Sequence, residues 1–145
     1  MIIDIEVSVD PEGGATFLRN GTVAPPSAAR PLNVLVCGGR EFSDYPLALA
    51  VLRALNLKTV VHGAARGADT LAARAAREIG VAQIACPADW RAHPKRAGII
   101  RNRQMLEHRP DAVVAFEGGP GTADMVKVAS GAGVTVYRMK RKEMP

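Results

Sequence analysis

The residues best suited to chemistry in this chain lie where glycines follow short apolar runs. In residues 111–125 the stretch Ala112-Val113-Val114-Ala115-Phe116 gives way to Glu117-Gly118-Gly119-Pro120-Gly121-Thr122, with a helix expected from about Thr122. A strand, a glycine-rich turn and a helix start, in that order, are what an anion site needs. Gly118, Gly119 and Gly121 let the backbone approach a phosphate closely, and the unpaired N–H groups of the helix start, Thr122 among them, supply donors and partial positive charge. The same glycines would also serve a tight strand-to-helix connection with no ligand.

Three other stretches carry similar chemistry. Gly38-Gly39-Arg40 follows the apolar run Asn33-Val34-Leu35-Val36-Cys37, and His62-Gly63-Ala64-Ala65-Arg66-Gly67-Ala68-Asp69 follows Thr59-Val60-Val61. Asp69 falls early in a helix, where a carboxylate complements the macrodipole and can also accept hydrogen bonds from a ribose. Asp124 has the same ambiguity in the last helix. Arg101 and Asn102 fall near the start of a helix that precedes the Ala112–Phe116 run. Arg101 is therefore placed to lean over the Gly118–Thr122 turn and pair with a phosphate or carboxylate, or else to face solvent. Asp89 and Trp90 lie in the longest connection, Pro87 to Ala97. His62 reads more readily as a satisfied histidine at a strand end than as a catalyst. No Ser-His-Asp constellation, metal-ligand spacing or cofactor motif is present, and Cys37 and Cys86 read as buried free thiols.

The elements that hold these residues follow from the periodicity. Residues 2–9 alternate Ile3, Ile5, Val7 and Val9 against polar neighbours, which marks a half-buried strand, and Ala15–Arg19 can return as a hairpin across the Asp10–Gly14 turn. Asn20-Gly21 marks a second turn, and the prolines of residues 24–31 mark a linker. Beyond it, strands are expected at 33–37, 59–62, 81–86, 112–116 and 134–137. Helices are expected at 45–55, 67–79, 98–108 and 122–130, the first capped by Ser43 or Asp44 and the second stopped by Gly80. Strands and helices that alternate with short connections make an α/β fold, a Rossmann-like doubly wound parallel sheet of about five strands with an N-terminal β-hairpin-like appendage. The chain divides into residues 1–30 as appendage and linker, 31–137 as the Rossmann-like domain and 138–145 as a basic tail. In such sheets ligands bind beyond the carboxyl ends of the strands, where the unusual residues of this sequence fall.

Composition narrows the function. The 145 residues are 48% apolar and 23% charged, an ordinary globular balance. Aromatics make up 4%, too few for a surface of stacked bases along a nucleic acid strand. The net charge is +5, of which residues 138–145 hold +3, so the body is close to neutral. The N-terminal stretch has an early acid and no basic region, and no apolar run approaches the ~20 residues of a membrane span. The expected location is cytoplasmic. The apolar face of the Ile3–Val9 strand needs cover, which raises the expectation of a homodimer or larger assembly.

Five stretches in one order also resemble a known family. They are Val36–Asp44, His62–Asp69, Ala88-Asp89-Trp90, Ala97-Gly98 with Arg101-Asn102 and Met105, and Ala115-Phe116 with Gly118–Thr122. Together they are similar to the YspA-type branch of the SLOG superfamily, which also holds the LONELY GUY phosphoribohydrolases and the DprA/Smf DNA-processing proteins. The resemblance covers about residues 33–137. It implies a Rossmann-like fold, a site for a nucleotide or nucleotide-derived ligand, and a role as sensor or effector. Ligand-binding residues implied by the glycine turns and the resemblance together are Gly38, Gly39, Arg40, Gly63, Arg66, Gly67, Asp69, Trp90, Arg101, Asn102, Gly118, Gly119, Gly121 and Thr122. The LONELY GUY enzymes place a catalytic glutamate three residues after the threonine, and here that position is Met125. A thioether cannot take a proton as a carboxylate can. Nucleoside-monophosphate hydrolysis would have to draw on Arg101, Asp124 or Asp89, and a DprA-like association with DNA would draw on the basic tail.

Overall fold

The computed structural model describes residues 1–19, 22–23 and 29–143 of the chain. The Asn20-Gly21 turn and most of the proline-rich linker lie outside the described residues. Strands β1 (Ile2–Val9), β2 (Ala15–Arg19) and β3 (Thr22–Val23) come first, then β4 (Leu32–Cys37), α1 (Tyr45–Ala54), β5 (Leu57–His62), α2 (Ala68–Ile79), β6 (Ala82–Ala85), α3 (Ala97–Leu106), β7 (Ala112–Ala115), α4 (Pro120–Gly131) and β8 (Thr135–Arg141). They form one sheet in the order β3-β2-β1-β8-β7-β4-β5-β6. From β4 the chain steps outward through β5 to β6, then returns to the other side of β4 for β7 and β8. All five of these strands are parallel. The β4/β7 border is thus the switch point, where successive loops leave in opposite directions.

Helices cover both faces. The run Val34-Leu35-Val36 is almost fully buried because alternate residues enter opposite layers. Val34 and Val36 pack with Leu47, Val51 and Leu52 of α1 and the alanines of α2. Leu35 packs with Met105 of α3 and with Met125, Val126 and Ala129 of α4. Ala72, Ala75 and Ala76 are solvent-inaccessible, so small side chains bring α2 close to the sheet. Gly80 ends that helix in the left-handed conformation at φ 88°.

The N-terminal hairpin forms across the expected turn, and β1 joins the sheet by pairing in parallel with β8. Ile3, Ile5 and Val7 are buried against α1 and Phe17 of β2, so the apolar face of β1 is covered within the same chain. The last strand runs to Arg141, four residues past Tyr137, because β1 supplies a partner for each residue from Val136 to Arg141. Asp4 and Arg138, direct neighbours across this pairing, form a two-pronged ion pair at 2.6 and 2.9 Å. That contact holds the Asp4 carboxyl below its ordinary pKa. No helix among the described residues is long and apolar enough to cross a membrane.

Candidate functional site at the switch point

The loops after β4 and β7 meet at the switch point and are stitched together there. The Gly39 N–H donates to the Glu117 carbonyl at 2.7 Å. A Cβ on Gly39 would sit 2.9 Å from the Gly118 Cα, and one on Gly118 would run into the Thr122 side chain, so these glycines permit backbone to lie on backbone. The loop after β5 joins them: the Ala68 N–H donates to the Gly39 carbonyl at 3.1 Å, and Gly67 takes a φ of 81° against it. Gly38 is wedged between Ala68 and Phe116.

Gly119 and Gly121 differ from the others. Helix α4 starts at Pro120, two residues earlier than periodicity indicates, so Gly121 lies inside its first turn. The N-cap is Gly119, and no side chain caps the helix. The Gly121 and Thr122 N–H groups therefore have no intrahelical acceptor, whereas the Ala123 N–H reaches the Gly119 carbonyl at 3.0 Å. A Cβ added to Gly119 or Gly121 would meet nothing within 4 Å, and neither residue has positive φ. Among the described residues no contact requires glycine at these two positions, and both are exposed.

Opposite this turn stands the first half of α3. Arg101 is half-buried; its Nη1 donates to the Gly63 carbonyl at 2.6 Å and its Nε to the Asn102 Oδ1 at 3.3 Å. A Cβ on Gly63 would overlap the guanidinium, which explains the glycine. Nη2 makes no hydrogen bond among the described residues. Asn102 is only 4% exposed, and its Nδ2 donates to the Gly121 carbonyl at 3.1 Å and to the Asp124 Oδ2 at 3.0 Å. Asp69, 7% exposed, accepts from the Ala65 N–H at 3.2 Å. Burial raises the pKa of its carboxyl, against the opposing pull of the Ala65 N–H and of Arg101. The Gly63 N–H also pulls against that rise. Beneath them Cys37 is 6% exposed, its thiol pushed up to about 12 by burial first and by Asp69 second, which disfavours the reactive thiolate. His62 is a satisfied histidine: the Ala64 N–H donates to Nδ1 at 3.1 Å and Nε2 lies 2.8 Å from the Gln83 Oε1. This pattern assigns the proton to Nε2.

An open groove of about 1460 Å³ runs along these elements. Of the residues singled out from sequence, Gly38, Gly39, Arg40 and Asp69 line it from the β4 and β5 sides. Trp90, Arg101 and Asn102 line it from the β6–α3 side, and Gly118, Gly119, Gly121 and Thr122 from the α4 side. Trp90 is 47% exposed on the rim, with the Arg40 guanidinium 5.7 Å from its ring centroid. Gly63, Arg66 and Gly67 stand behind the groove. Arg66 pairs with Glu41 at the surface, both largely exposed. Asp89 does not reach the groove; it caps a turn by accepting from the Ala92 N–H. Asp124 is held by Asn102 and lies near Arg103, outside the lining. Met125 lines the groove but is 1% exposed and packs in the core with Leu35 and Met105.

The sequence reading missed the far wall of the groove. Met139, Lys140, Arg141 and Lys142 line it, with Lys95 near Trp90. Arg141 grips Asp44 through two bonds of 2.7 and 2.8 Å, and this pair holds the Asp44 carboxyl below its ordinary pKa. The missed signal was Met139, which continues the strand alternation two residues beyond Tyr137.

Comparison with known proteins agrees with this fold. A profile described as the YspA, cpYpsA-related SLOG family matches residues 32–93, which span β4 to the Trp90 loop. The Gene 61 protein of Mycobacterium phage D29 is 37% identical over 121 residues, covering 75% of this chain and 97% of the phage protein. The X-ray structure of DNA processing protein A (DprA) from Streptococcus pneumoniae superposes with a TM-score of 0.65 at 21% identity, over 79% of this chain. This chain spans about half of that protein, 52% of its length, so the likeness is one of fold. With a relative 37% identical matched along nearly its whole length and residues 32–93 matched by the profile, the chain belongs to the YspA, cpYpsA-related SLOG family.

Proposed function

We propose that the protein binds a nucleotide or nucleotide-derived phosphate ligand in the switch-point groove and acts as a sensor or effector rather than a hydrolase. The observation that carries this reading is the start of α4, uncapped among the described residues, where two N–H groups without an intrahelical acceptor and two glycines with open space above them line the same groove as Arg101. Glycine inside a helix costs about 1 kcal/mol relative to alanine. A ligand that needs the space left by Gly121 gives that cost a purpose. In this reading the phosphate sits over Gly119, Gly121 and Thr122 with Arg101 beside it. The open face of Trp90 takes the base, and the Asp69 carboxylate accepts from a ribose hydroxyl.

The carboxylates argue against hydrolysis. Met125 fills the glutamate position, Asp89 caps a turn and Asp124 is bonded to Asn102. The basic end of the chain is also partly spent within the fold, Arg138 on Asp4 and Arg141 on Asp44, which favours a small ligand over a DNA strand. The test is a thermal-shift screen of nucleotides, with binding of AMP measured for the parent, Arg101→Ala and Gly121→Val. Arg101→Ala should keep the fold and lose a charge-assisted contact of roughly 1.5–3 kcal/mol, about a ten- to hundredfold fall in affinity. A screen in which no nucleotide stabilises the protein would refute the reading, and release of free base from AMP would promote the enzyme.

A further inference from the structure

We propose that Asn102 is a positioning residue that locks Arg101 and the first turn of α4 into one anion-binding geometry. The inference rests on the phosphate-site reading above but concerns how the site is held together. Side chains of adjacent helical residues point about 100° apart and do not ordinarily meet. Here they do, because the Arg101 Nε donates to the Asn102 Oδ1 at 3.3 Å while Nη1 is drawn to the Gly63 carbonyl. The guanidinium is thereby fixed at two of its nitrogens, and its remaining donors are left for the groove.

The other end of the same amide acts on α4. Nδ2 donates to the Gly121 carbonyl at 3.1 Å. That carbonyl shares a planar trans peptide with the Thr122 N–H, so the two point in opposite directions. Holding the Gly121 oxygen toward Asn102 aims the Thr122 N–H away from it, toward the open start of the helix. The second Nδ2 proton goes to the Asp124 Oδ2 at 3.0 Å, so the same amide also ties α3 to the side chain of Asp124 on α4. An amide only 4% exposed, with both donors and its oxygen engaged, stands where an apolar side chain would suffice for packing α3 on α4. Leucine would fill the space but hold neither partner.

The test follows the Arg101 Nε–H proton by NMR and measures AMP binding in the full chain, for the parent, Asn102→Leu and Asn102→Asp. In the parent the Arg101 Nε–H should exchange slowly and stand apart from the surface arginines. In Asn102→Leu it should merge with them, AMP affinity should fall about tenfold, and adding Arg101→Ala should cost little more, as expected for residues acting as a unit. Asn102→Asp keeps the oxygen that faces Arg101 but loses both Nδ2 donors. It should keep the slow proton and still bind AMP more weakly, which carries the test if the leucine variant does not fold. An unchanged Nε–H in Asn102→Leu, fully additive losses, or Asn102→Asp with parental affinity would overturn the inference. If the parent does not bind AMP, the phosphate reading fails, and the Nε–H exchange still decides whether Asn102 positions Arg101.

Discussion

Asp69 shows at the level of one residue how a site can oppose the stability of its fold. Burial raises the folded-state pKa of its carboxyl above the unfolded value. The folded protein then binds more protons than the unfolded chain between those two values, so stability falls as pH rises through that window. Asp69→Asn removes this penalty and keeps an oxygen that can accept from Ala65. Its melting temperature should exceed the parent's at neutral pH, and the gain should vanish in acid once both states of the parent are protonated; Tm measured against pH checks this. Gly121→Ala belongs with it: the added methyl meets open space, so the helix should gain up to about 1 kcal/mol in thermal or denaturant unfolding while AMP binding weakens. Gly118→Ala should destabilise, since its methyl collides with Thr122. Sequence alone places these glycines in one motif but does not separate them. Gly118 answers to Thr122 and Gly39, residues brought near by the fold, whereas a side chain at Gly121 would meet none of the described residues.

Among the elements, α1 and β8 are coupled through one carboxylate. Asp44 caps α1 by accepting from the Leu47 N–H at 3.1 Å and also binds Arg141 at the end of β8. Asp44→Ala loses both contacts and should cost about 1–2 kcal/mol in denaturant unfolding, mostly through the cap. Asp44→Asn keeps a capping oxygen and loses the ion pair, whose arginine is 40% exposed, so its deficit should be under about 1 kcal/mol. The folded pKa of Asp44 lies below the unfolded one. Its contribution is therefore present above the ordinary carboxylate range and lost as pH falls through the depressed value. The deficit of Asp44→Asn should accordingly disappear in acid. The cap was legible, because an acid just before an apolar helical stripe has few other uses. Its partner was not, because Arg141 reads as part of a charged tail until β1 is known to lie beside β8. Pairing between strands more than a hundred residues apart leaves no local trace beyond the alternation at Met139. The five parallel strands, by contrast, announce themselves through continuous apolar runs such as Val34-Leu35-Val36.

At the scale of the molecule, β1 and β2 belong to the hydrophobic core. Ile3, Ile5, Val7 and Phe17 are buried in it, and each apolar side chain of this size is worth about 1.5–3 kcal/mol. Their sum rivals the 5–15 kcal/mol that separates folded from unfolded in ordinary domains. Deleting residues 1–19 should therefore abolish cooperative unfolding and give insoluble or molten protein, which circular dichroism and calorimetry would show. Because α1 and Phe17 cover the face of β1, a homodimer would have to draw on other surfaces, and sedimentation at micromolar concentration tests whether one forms. The pairing of β1 with β8 also bears on how the chain is made. Translation delivers β1 well before its neighbour β8, and a parallel strand cannot take its place before its neighbour exists. Until β8 has been made, the hairpin must therefore wait with Ile3, Ile5 and Val7 lacking their final packing. An arrest-peptide assay on nascent chains of increasing length should record no folding force until β8 has cleared the exit tunnel. Before that point the waiting hairpin is a natural client for a holding chaperone.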